Sequence, residues 1–191
     1  MMTTFTAANT FSKLKADQHN TVIVRKGTVY DAVYISLLAR ITFAESFGHL
    51  FRDYQDVIDY CDKTFSVDKI SSSLEKENNT FFIAFCDGLP VGYAKFKKYS
   101  PSDFIGGEGV SQLQKIYVLK DFQSKKIGQA LLDNIFLEMT ALQKNTLWLS
   151  VYVENRGAIR FYAKNGFVAA GSHTYSIGKE IFEFTVVKKD F

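Results

Sequence analysis

One stretch of the sequence combines the residue types that bind an anion with the elements that would present them. Residues 113–119 have the pattern of a strand, and from Lys126 onward apolar residues recur at helical spacing. The helix N-terminus that follows such a loop presents unpaired backbone N–H groups, which can hold a pyrophosphate. Gly128 permits close approach of a ligand, and Lys125 and Lys126 add positive charge. The same pattern is also typical of a plain strand-to-helix crossover.

A second stretch, residues 155–167, carries polar and aromatic side chains on a short predicted helix. Asn155 is expected to cap the start of this helix, and Asn165-Gly166 to end it. If Tyr162 faces a cleft, its phenol can protonate a departing group. From the residues alone, a place in the aromatic core is the commoner role for such a tyrosine.

The remaining elements must position these two stretches. The predicted order is β-α-(α)-β-β-β-α-β-α-β-β, which indicates one α/β domain over residues 21–191 after an N-terminal extension of residues 1–20. Residues 100–109 contain a proline and three glycines and are expected to form a surface loop that borders a substrate site. The other predicted elements are strands at 22–25, 81–86, 89–96 and 147–153, a helix at 29–43 capped by Thr28, one or two helices within 45–77, and a terminal hairpin at 167–187.

The composition excludes several classes of protein. Of 191 residues, 47% are hydrophobic and 23% charged, as in ordinary globular domains, and the net charge is only +3. The lysines are scattered, so we expect no nucleic-acid partner. No apolar run reaches the ~18 residues of a membrane helix, and the two cysteines suggest a reducing compartment, so we expect a cytoplasmic protein without a membrane partner. His19, His49 and His173 are too dispersed to indicate a metal site.

Two motifs carry a resemblance to a known family. Gln123-Ser-Lys-Lys-Ile-Gly128 resembles the acyl-CoA signature of the GNAT superfamily, normally Q/R-x-x-G-x-G/A. Residues 155–167 resemble the N-x-x-A-x-x-F-Y-x-x-x-G-F motif of the same superfamily, in the right order and at a suitable distance. Within the superfamily the chain is similar to the PaiA-type polyamine acetyltransferases, through residues 42–60, 91–95, 113–118 and 171–175.

The resemblance implies a fold and a co-substrate. It implies a GNAT-like mixed, mostly antiparallel central sheet with helices on both faces and acyl-CoA between two splayed strands. Acetyl-CoA would be the co-substrate, without a metal, and Tyr162 would be the catalytic acid that protonates the departing thiolate. The implied cofactor-binding residues are Ile116, Tyr117, Val118, Gln123, Ser124, Lys125, Lys126, Ile127, Gly128, Gln129, Asn155 and Ala158.

The implied activity is transfer of an acetyl group from acetyl-CoA to a primary amine by direct attack in a ternary complex. The PaiA resemblance favours a polyamine-like small molecule, while a peptide or protein amine, an amino acid or an aminoglycoside remains open. The resemblance also admits a homodimer. The alternative is a non-catalytic acyl-CoA-binding sensor or regulatory module.

Two departures from the family pattern keep that alternative open. Ser124 and Lys126 occupy positions where the family pattern carries glycine, and Lys126 would either contact a phosphate or crowd the loop. Gln112 and Gln114 occupy the strand where many relatives carry a glutamate base, and an amide accepts no proton. Water, Glu45, Glu108 or entry of a neutral amine would then account for the proton. Asp53, Asp56 and Asp59 either attract a cationic amine or form a solvated helix face.

Overall fold

A seven-stranded mixed sheet forms the centre of the protein. The computed structural model describes residues 21–191, so the predicted extension over residues 1–20, with His19, lies outside the described residues. Neighbouring strands are antiparallel except for one parallel pair, β4 and β5. In sheet order β1-β2-β3-β4-β5-β7-β6, the strands are β1 (Val22–Lys26), β2 (Asn79–Cys86), β3 (Leu89–Lys97), β4 (Val110–Val118), β5 (Thr146–Tyr152), β6 (Val168–Ile177) and β7 (Glu180–Asp190).

Five helices cover the two faces of the sheet. They are α1 (Ala32–Phe47), α2 (Tyr54–Phe65), α3 (Val67–Leu74), α4 (Ile127–Ala141) and α5 (Arg156–Lys164). Strand β2 shows how the faces divide, because successive side chains point to opposite sides. Phe81 and Ile83 pack with α1, α2 and α3, while Phe82 and Ala84 pack with α4 and α5. The predicted mixed, mostly antiparallel sheet flanked by helices on both faces is therefore confirmed.

The first helix begins three residues later than the pattern predicts. Residues Val29–Asp31 form a 3₁₀ turn, and α1 runs from Ala32 to Phe47. The buried carboxylate of Asp31 accepts hydrogen bonds from the Thr28 N–H (2.8 Å) and hydroxyl (3.0 Å), and pairs with Arg25 at 2.7 Å. The Arg25 guanidinium is the main reason that the pKa of Asp31 falls to about 2. This ion pair, with Asp31 buried and Arg25 exposed, fixes the entry of the chain into α1.

Strands β4 and β5 separate after a short paired segment. Only three residue pairs join them, from Val110–Thr146 to Gln112–Trp148. Beyond these pairs β4 remains hydrogen-bonded to β3, and β5 to β7. The two strands therefore diverge and leave facing edges open, which creates a cleft inside the sheet.

Two kinds of feature, a membrane-spanning helix and a metal-binding group of side chains, are absent from residues 21–191. No helix in this part of the chain has the length and apolar character needed to cross a bilayer. Over the same residues, no three His, Cys, Asp or Glu side chains lie close enough together to hold a metal ion. The cavities of the described chain are therefore its candidate functional sites.

Candidate active site

A cleft of about 630 Å³ opens where β4 and β5 diverge, and we call it the β4–β5 cleft. Residues 113–118 of β4 form one wall, and Leu149–Tyr152 of β5 form the other. The start of α4 and one face of α5 close its ends. Since both strands present open backbone edges here, an extended ligand can hydrogen-bond to main-chain groups.

The N-terminus of α4 faces this cleft. Ala130 is the first residue of the helix whose N–H donates four residues back, to the Lys126 carbonyl. The amides of residues 127–129 therefore precede the helical hydrogen bonds and can receive an anion. A Cβ added at Gly128 would meet no atom within 4 Å, so the protein itself does not fill this space. The open space beside the free amides fits the diphosphate of a nucleotide-like ligand.

The loop before α4 has an unusual backbone. Ser124 (φ 68°) and Lys126 (φ 61°) are both left-handed, a conformation that costs non-glycine residues roughly 1–2 kcal/mol. The two departures from the glycine-bearing signature thus coincide with the two positions where the backbone favours glycine. Both residues line the cleft, and Lys126 is the N-cap residue of α4.

Two of the predicted cofactor-binding residues, Gln123 and Gln129, brace this region. The Gln123 side chain donates to the Val118 carbonyl (3.3 Å), which ties the loop to the end of β4. The Gln129 amide exchanges hydrogen bonds with the Asn165 side chain at 2.9 and 3.2 Å, which joins α4 to α5. Lys125 does not line the cleft, and its ammonium lies 4.9 Å from the centroid of the Phe122 ring. The structure therefore brings together every predicted cofactor-binding residue except Lys125.

Helix α5 supplies the polar and aromatic wall. The Asn155 side chain accepts a hydrogen bond from the Ala158 N–H at 3.0 Å and caps the helix as the sequence predicts. Tyr162 is 7% exposed and lines the cleft, although it also packs against Phe161 and Phe167. Burial raises the pKa of Tyr162, so its hydroxyl retains its proton at neutral pH. Tyr162 therefore both packs in the aromatic core and lines the cleft.

A second cavity, of about 550 Å³, lies on the α1 side of β4. We call it the lysine pocket, because four lysines line it together with aromatic side chains. The lysines are Lys69, Lys76, Lys95 and Lys115. Six residues line both cavities, so the two meet across β4: Phe47, Gln114, Lys115, Tyr117, Ser150 and Phe184.

A polar pair lies at this junction. The Ser150 hydroxyl is 2.8 Å from Nε2 of His173, whose ring stacks on Phe184 with centroids 5.4 Å apart. The other ring nitrogen, Nδ1, lies 3.3 Å from the Thr174 carbonyl. Because a carbonyl only accepts, this network assigns the proton to Nδ1 and leaves Nε2 to accept from Ser150. Ser150 can then accept a hydrogen bond from a ligand in either cavity.

Strand β4 contains one extra residue near the junction. Lys95 of β3 pairs with Lys115, and Phe96 pairs with Leu113, so Gln114 bulges out of the ladder. The bulge exposes Gln114 to both cavities. Gln112 lines only the lysine pocket and accepts a hydrogen bond from the Ser100 hydroxyl at 3.1 Å.

Several candidates from the sequence lie elsewhere. Glu45 accepts from the Lys120 N–H at 3.1 Å and supports the turn after β4, and neither Glu45 nor Glu108 lines a cavity. Residues 100–109, the loop expected to border a substrate site, line neither cavity. His49 is exposed and lies outside both.

The acidic side chains of α2 have structural partners. Asp53 caps α2 and pairs with Lys179 at 2.7 Å, while Asp56 accepts from the Lys179 N–H at 2.9 Å. Asp59 accepts from the Gln55 side chain at 2.8 Å. None of the three lines a cavity, so they hold the β6–β7 turn and α2 rather than an amine.

Sequence reasoning missed the lysine pocket and the Ser150–His173 pair. Lys95 lies between Ala94 and Phe96, and Lys115 directly precedes the run of residues 116–118, and these local signals could have marked the two lysines. Ser150 lies among the alternating residues of β5, but nothing in the sequence indicates that His173 meets it. Their contact depends on β7 lying between β5 and β6.

Comparison with curated proteins gives relatives of modest similarity. An uncharacterized N-acetyltransferase of Lactobacillus delbrueckii subsp. lactis is 26% identical over 144 residues, covering 75% of this chain and 82% of the relative. An uncharacterized N-acetyltransferase of Mycobacterium tuberculosis is 26% identical over 124 residues, covering 65% of this chain and 75% of the relative.

Solved structures share the fold at lower identity. The PaiA N-acetyltransferase of Thermoplasma acidophilum, in complex with coenzyme A, superposes with a TM-score of 0.70 at 18% identity, covering 90% of this chain and 99% of that one. A Salmonella typhimurium protein with its cofactor acetyl-CoA gives a TM-score of 0.67 at 16% identity, covering 90% and 94%.

The family profile described as the acetyltransferase (GNAT) family matches residues 41–167 of the sequence. The matched region contains β4, the start of α4 and helix α5, which are the elements that build the cleft. This chain therefore belongs to the GNAT family of acetyltransferases.

Proposed function

We propose that residues 21–191 form one acyl-CoA N-acyltransferase domain that transfers the acetyl group of acetyl-CoA to a primary amine in a ternary complex. One observation carries the proposal: the divergence of β4 and β5 opens a cleft onto the unpaired amides of α4 and onto Tyr162. Holding both substrates side by side in this cleft supplies proximity, which is the main contribution to such a reaction.

The cofactor would be held chiefly by backbone. Residues 116–118 of β4 offer hydrogen-bonding groups to the pantetheine arm, and Asn155 and Ala158 form the opposite wall. The amides of residues 127–129 and the ammonium of Lys126 suit the pyrophosphate. A backbone N–H near Val118 would polarise the thioester carbonyl.

Tyr162 would act as the acid. The reaction forms a bond between the amine nitrogen and the acetyl carbon and breaks the bond from that carbon to sulfur, releasing a thiolate. Since burial raises the pKa of Tyr162, the hydroxyl stays protonated and can donate its proton to the sulfur.

The proton lost by the amine would go to the junction of the two cavities. Ser150 lies in both cavities and donates to Nε2 of His173 at 2.8 Å. As Ser150 accepts a proton from the amine, its own hydroxyl proton can pass to His173, which completes a relay. This route replaces the glutamate that Gln112 and Gln114 do not provide.

The decisive experiment follows thiol release from acetyl-CoA with a panel of amines, in the wild type and in Tyr162→Phe. We expect Tyr162→Phe to lower turnover by about 100-fold while the Kd for CoA is unchanged, because the acid is lost and the packing is kept. Unchanged turnover in the variant would refute the role of Tyr162. Tight CoA binding without release for any amine would favour the non-catalytic sensor.

A polyamine is the acceptor class that the PaiA resemblance favours. The carboxylates that would attract it, Asp53, Asp56 and Asp59, lie outside both cavities. The cavity beside the cleft is lined by lysines, which repel a polycation. The charge of that cavity points to a different acceptor.

A further inference from the structure

Two lysines of the lysine pocket lie directly opposite each other on neighbouring strands. Lys95 of β3 pairs in register with Lys115 of β4, and both side chains point to the α1 side of the sheet. Like charges at such a cross-strand position destabilise a sheet. Within residues 21–191, no ion pair neutralises either ammonium group. The fold thus maintains two adjacent cations without a protein carboxylate between them.

The surroundings of these lysines are aromatic. The Lys95 ammonium lies 5.4 Å from the centroid of the Phe81 ring, and the Lys115 ammonium lies 5.6 Å from that of Phe65. These cation–π contacts compensate only part of the lost hydration. Although both side chains retain some exposure, burial lowers the pKa of each to about 8. An anion between the two ammonium groups would offset their lost hydration and relieve their repulsion.

The rest of the pocket wall has the same character. Lys69 and Lys76 are exposed and line the pocket, and no aspartate or glutamate is present among its described lining residues. The Tyr93 hydroxyl, the one buried side-chain polar atom without a hydrogen-bond partner in the described chain, belongs to a residue of the same wall. A buried hydroxyl without a partner costs about 1–3 kcal/mol, which a ligand acceptor atom would recover.

The geometry points to an acceptor amine that also carries an anionic group, a carboxylate above all, and an apolar or aromatic body. The anion lies between Lys95 and Lys115, the body lies against the aromatic wall, and the amine extends past Lys115 toward Ser150. This inference rests on the acetyltransferase function proposed above and specifies its substrate class as anionic amines rather than polyamines.

A matched pair of amines tests it. Benzylamine and 4-(aminomethyl)benzoate differ only in the carboxylate, and spermidine represents the polycations. In thiol-release assays at pH 7 we expect kcat/KM for the carboxylate to exceed that for benzylamine by about tenfold or more, because a charge-assisted contact forms. A phosphonate in place of the carboxylate distinguishes a phosphate-bearing acceptor from a carboxylic one.

Three variants assign the preference to the pocket. Lys95→Met and Lys115→Met, alone and combined, should reduce the preference to about unity, because the charge is lost and the stem volume is kept. Lys97→Met is the matched control: Lys97 lies on the same strand and lines neither cavity. A cooperative thermal unfolding transition like that of the wild type shows that each variant is folded.

The outcomes separate this inference from the proposed function. If spermidine or benzylamine is the better substrate, or the carboxylate preference survives in the double variant, the anionic acceptor is refuted and the acetyltransferase stands. If no amine releases thiol, the acetyltransferase fails, and equilibrium binding of 4-methylbenzoate still decides the anion site. Binding that disappears in Lys95→Met and Lys115→Met supports that site, and binding that persists refutes it.

Discussion

The two cavities on either side of β4 differ in what builds them. The β4–β5 cleft is formed largely by open strand edges and the amides of α4, so its hydrogen-bonding groups belong to the main chain. The lysine pocket is formed by side chains from the first three helices and six strands. A site built from main-chain groups suits a ligand that does not vary, because substitutions leave those groups in place. A site built from side chains changes with each substitution.

Both cavities contain lysine, but in different settings. Lys126 precedes α4, where the helix dipole and free amides already favour an anion. Lys95 and Lys115 lie in the middle of strands against aromatic rings. The charge of Lys126 therefore adds to an anion site that the backbone of α4 already forms. In the lysine pocket, the charges of Lys95 and Lys115 themselves form the anion site.

The largest expected effect concerns the point where the cavities meet. His173→Phe should lower turnover by about 100-fold, because the relay from Ser150 loses its final acceptor while stacking on Phe184 is preserved. The Kd for CoA should not change, because His173 does not line the β4–β5 cleft. Stopped-flow thiol release and calorimetric binding measure these quantities, with Ser150→Ala in parallel. Wild-type turnover in both variants would mean that water alone takes the proton.

The next effect should separate the two cavities by charge. Lys126→Glu should raise the Kd for CoA by about tenfold, since an attractive contact to phosphate becomes repulsive, and should leave 4-methylbenzoate binding unchanged. Calorimetry with both ligands measures this. Equal weakening of both ligands would show that the cavities are not independent.

Two further variants of Lys126 isolate the backbone effect. Lys126→Met removes the charge and retains the Cβ, whereas Lys126→Gly removes both and suits the φ of 61°. We expect the free energy of unfolding of the glycine variant to exceed that of the methionine variant by about 1 kcal/mol. Urea unfolding provides the comparison.

The smallest expected effect is a dependence of ligand affinity on pH, which the lysine pocket should show and the β4–β5 cleft should not. A lysine is charged below its pKa, and the pKa of both Lys95 and Lys115 is about 8. Raising the pH from 7 to 9 should therefore weaken 4-methylbenzoate binding by roughly fivefold, through loss of positive charge. Lys69, Lys76, His173 and the tyrosines of the wall also face this pocket, so the double methionine variant is the control.

In that variant the pH dependence of 4-methylbenzoate binding should disappear. CoA affinity should stay nearly level over the same range in both proteins. A slope that persists without Lys95 and Lys115 would assign the titration to another group of the pocket.

The sequence predicts the β4–β5 cleft better than it predicts the lysine pocket. The elements of the cleft are contiguous in the chain, so residues 113–132 and 155–167 contain most of it, and periodicity and capping suffice to place them. The lysine pocket draws on residues from Phe43 to Phe184, and its key pair depends on a register that a bulge at Gln114 shifts by one. A register shift of this kind leaves no signal in composition or periodicity.

The left-handed loop was beyond sequence reasoning for another reason. Serine and lysine rarely adopt positive φ, so the residue types of Ser124 and Lys126 give no signal for the left-handed backbone that both adopt. The structure nevertheless has the left-handed backbone at both residues, with its energetic cost. Of the neighbouring lysines, Lys126 lines the cleft and Lys125, with its ammonium over the Phe122 ring, does not, and only side-chain geometry reveals this difference.

The short parallel contact between β4 and β5 has a consequence for the lifetime of the protein. Three residue pairs join the half-sheet β1–β4 to the half-sheet β5-β7-β6, and a ligand in the cleft would supply hydrogen bonds to both sides of the gap. Such a ligand stabilises the folded state by mass action, in proportion to the logarithm of its concentration above Kd. The abundance of the enzyme would then follow the supply of its acyl donor, through selective degradation of the empty form.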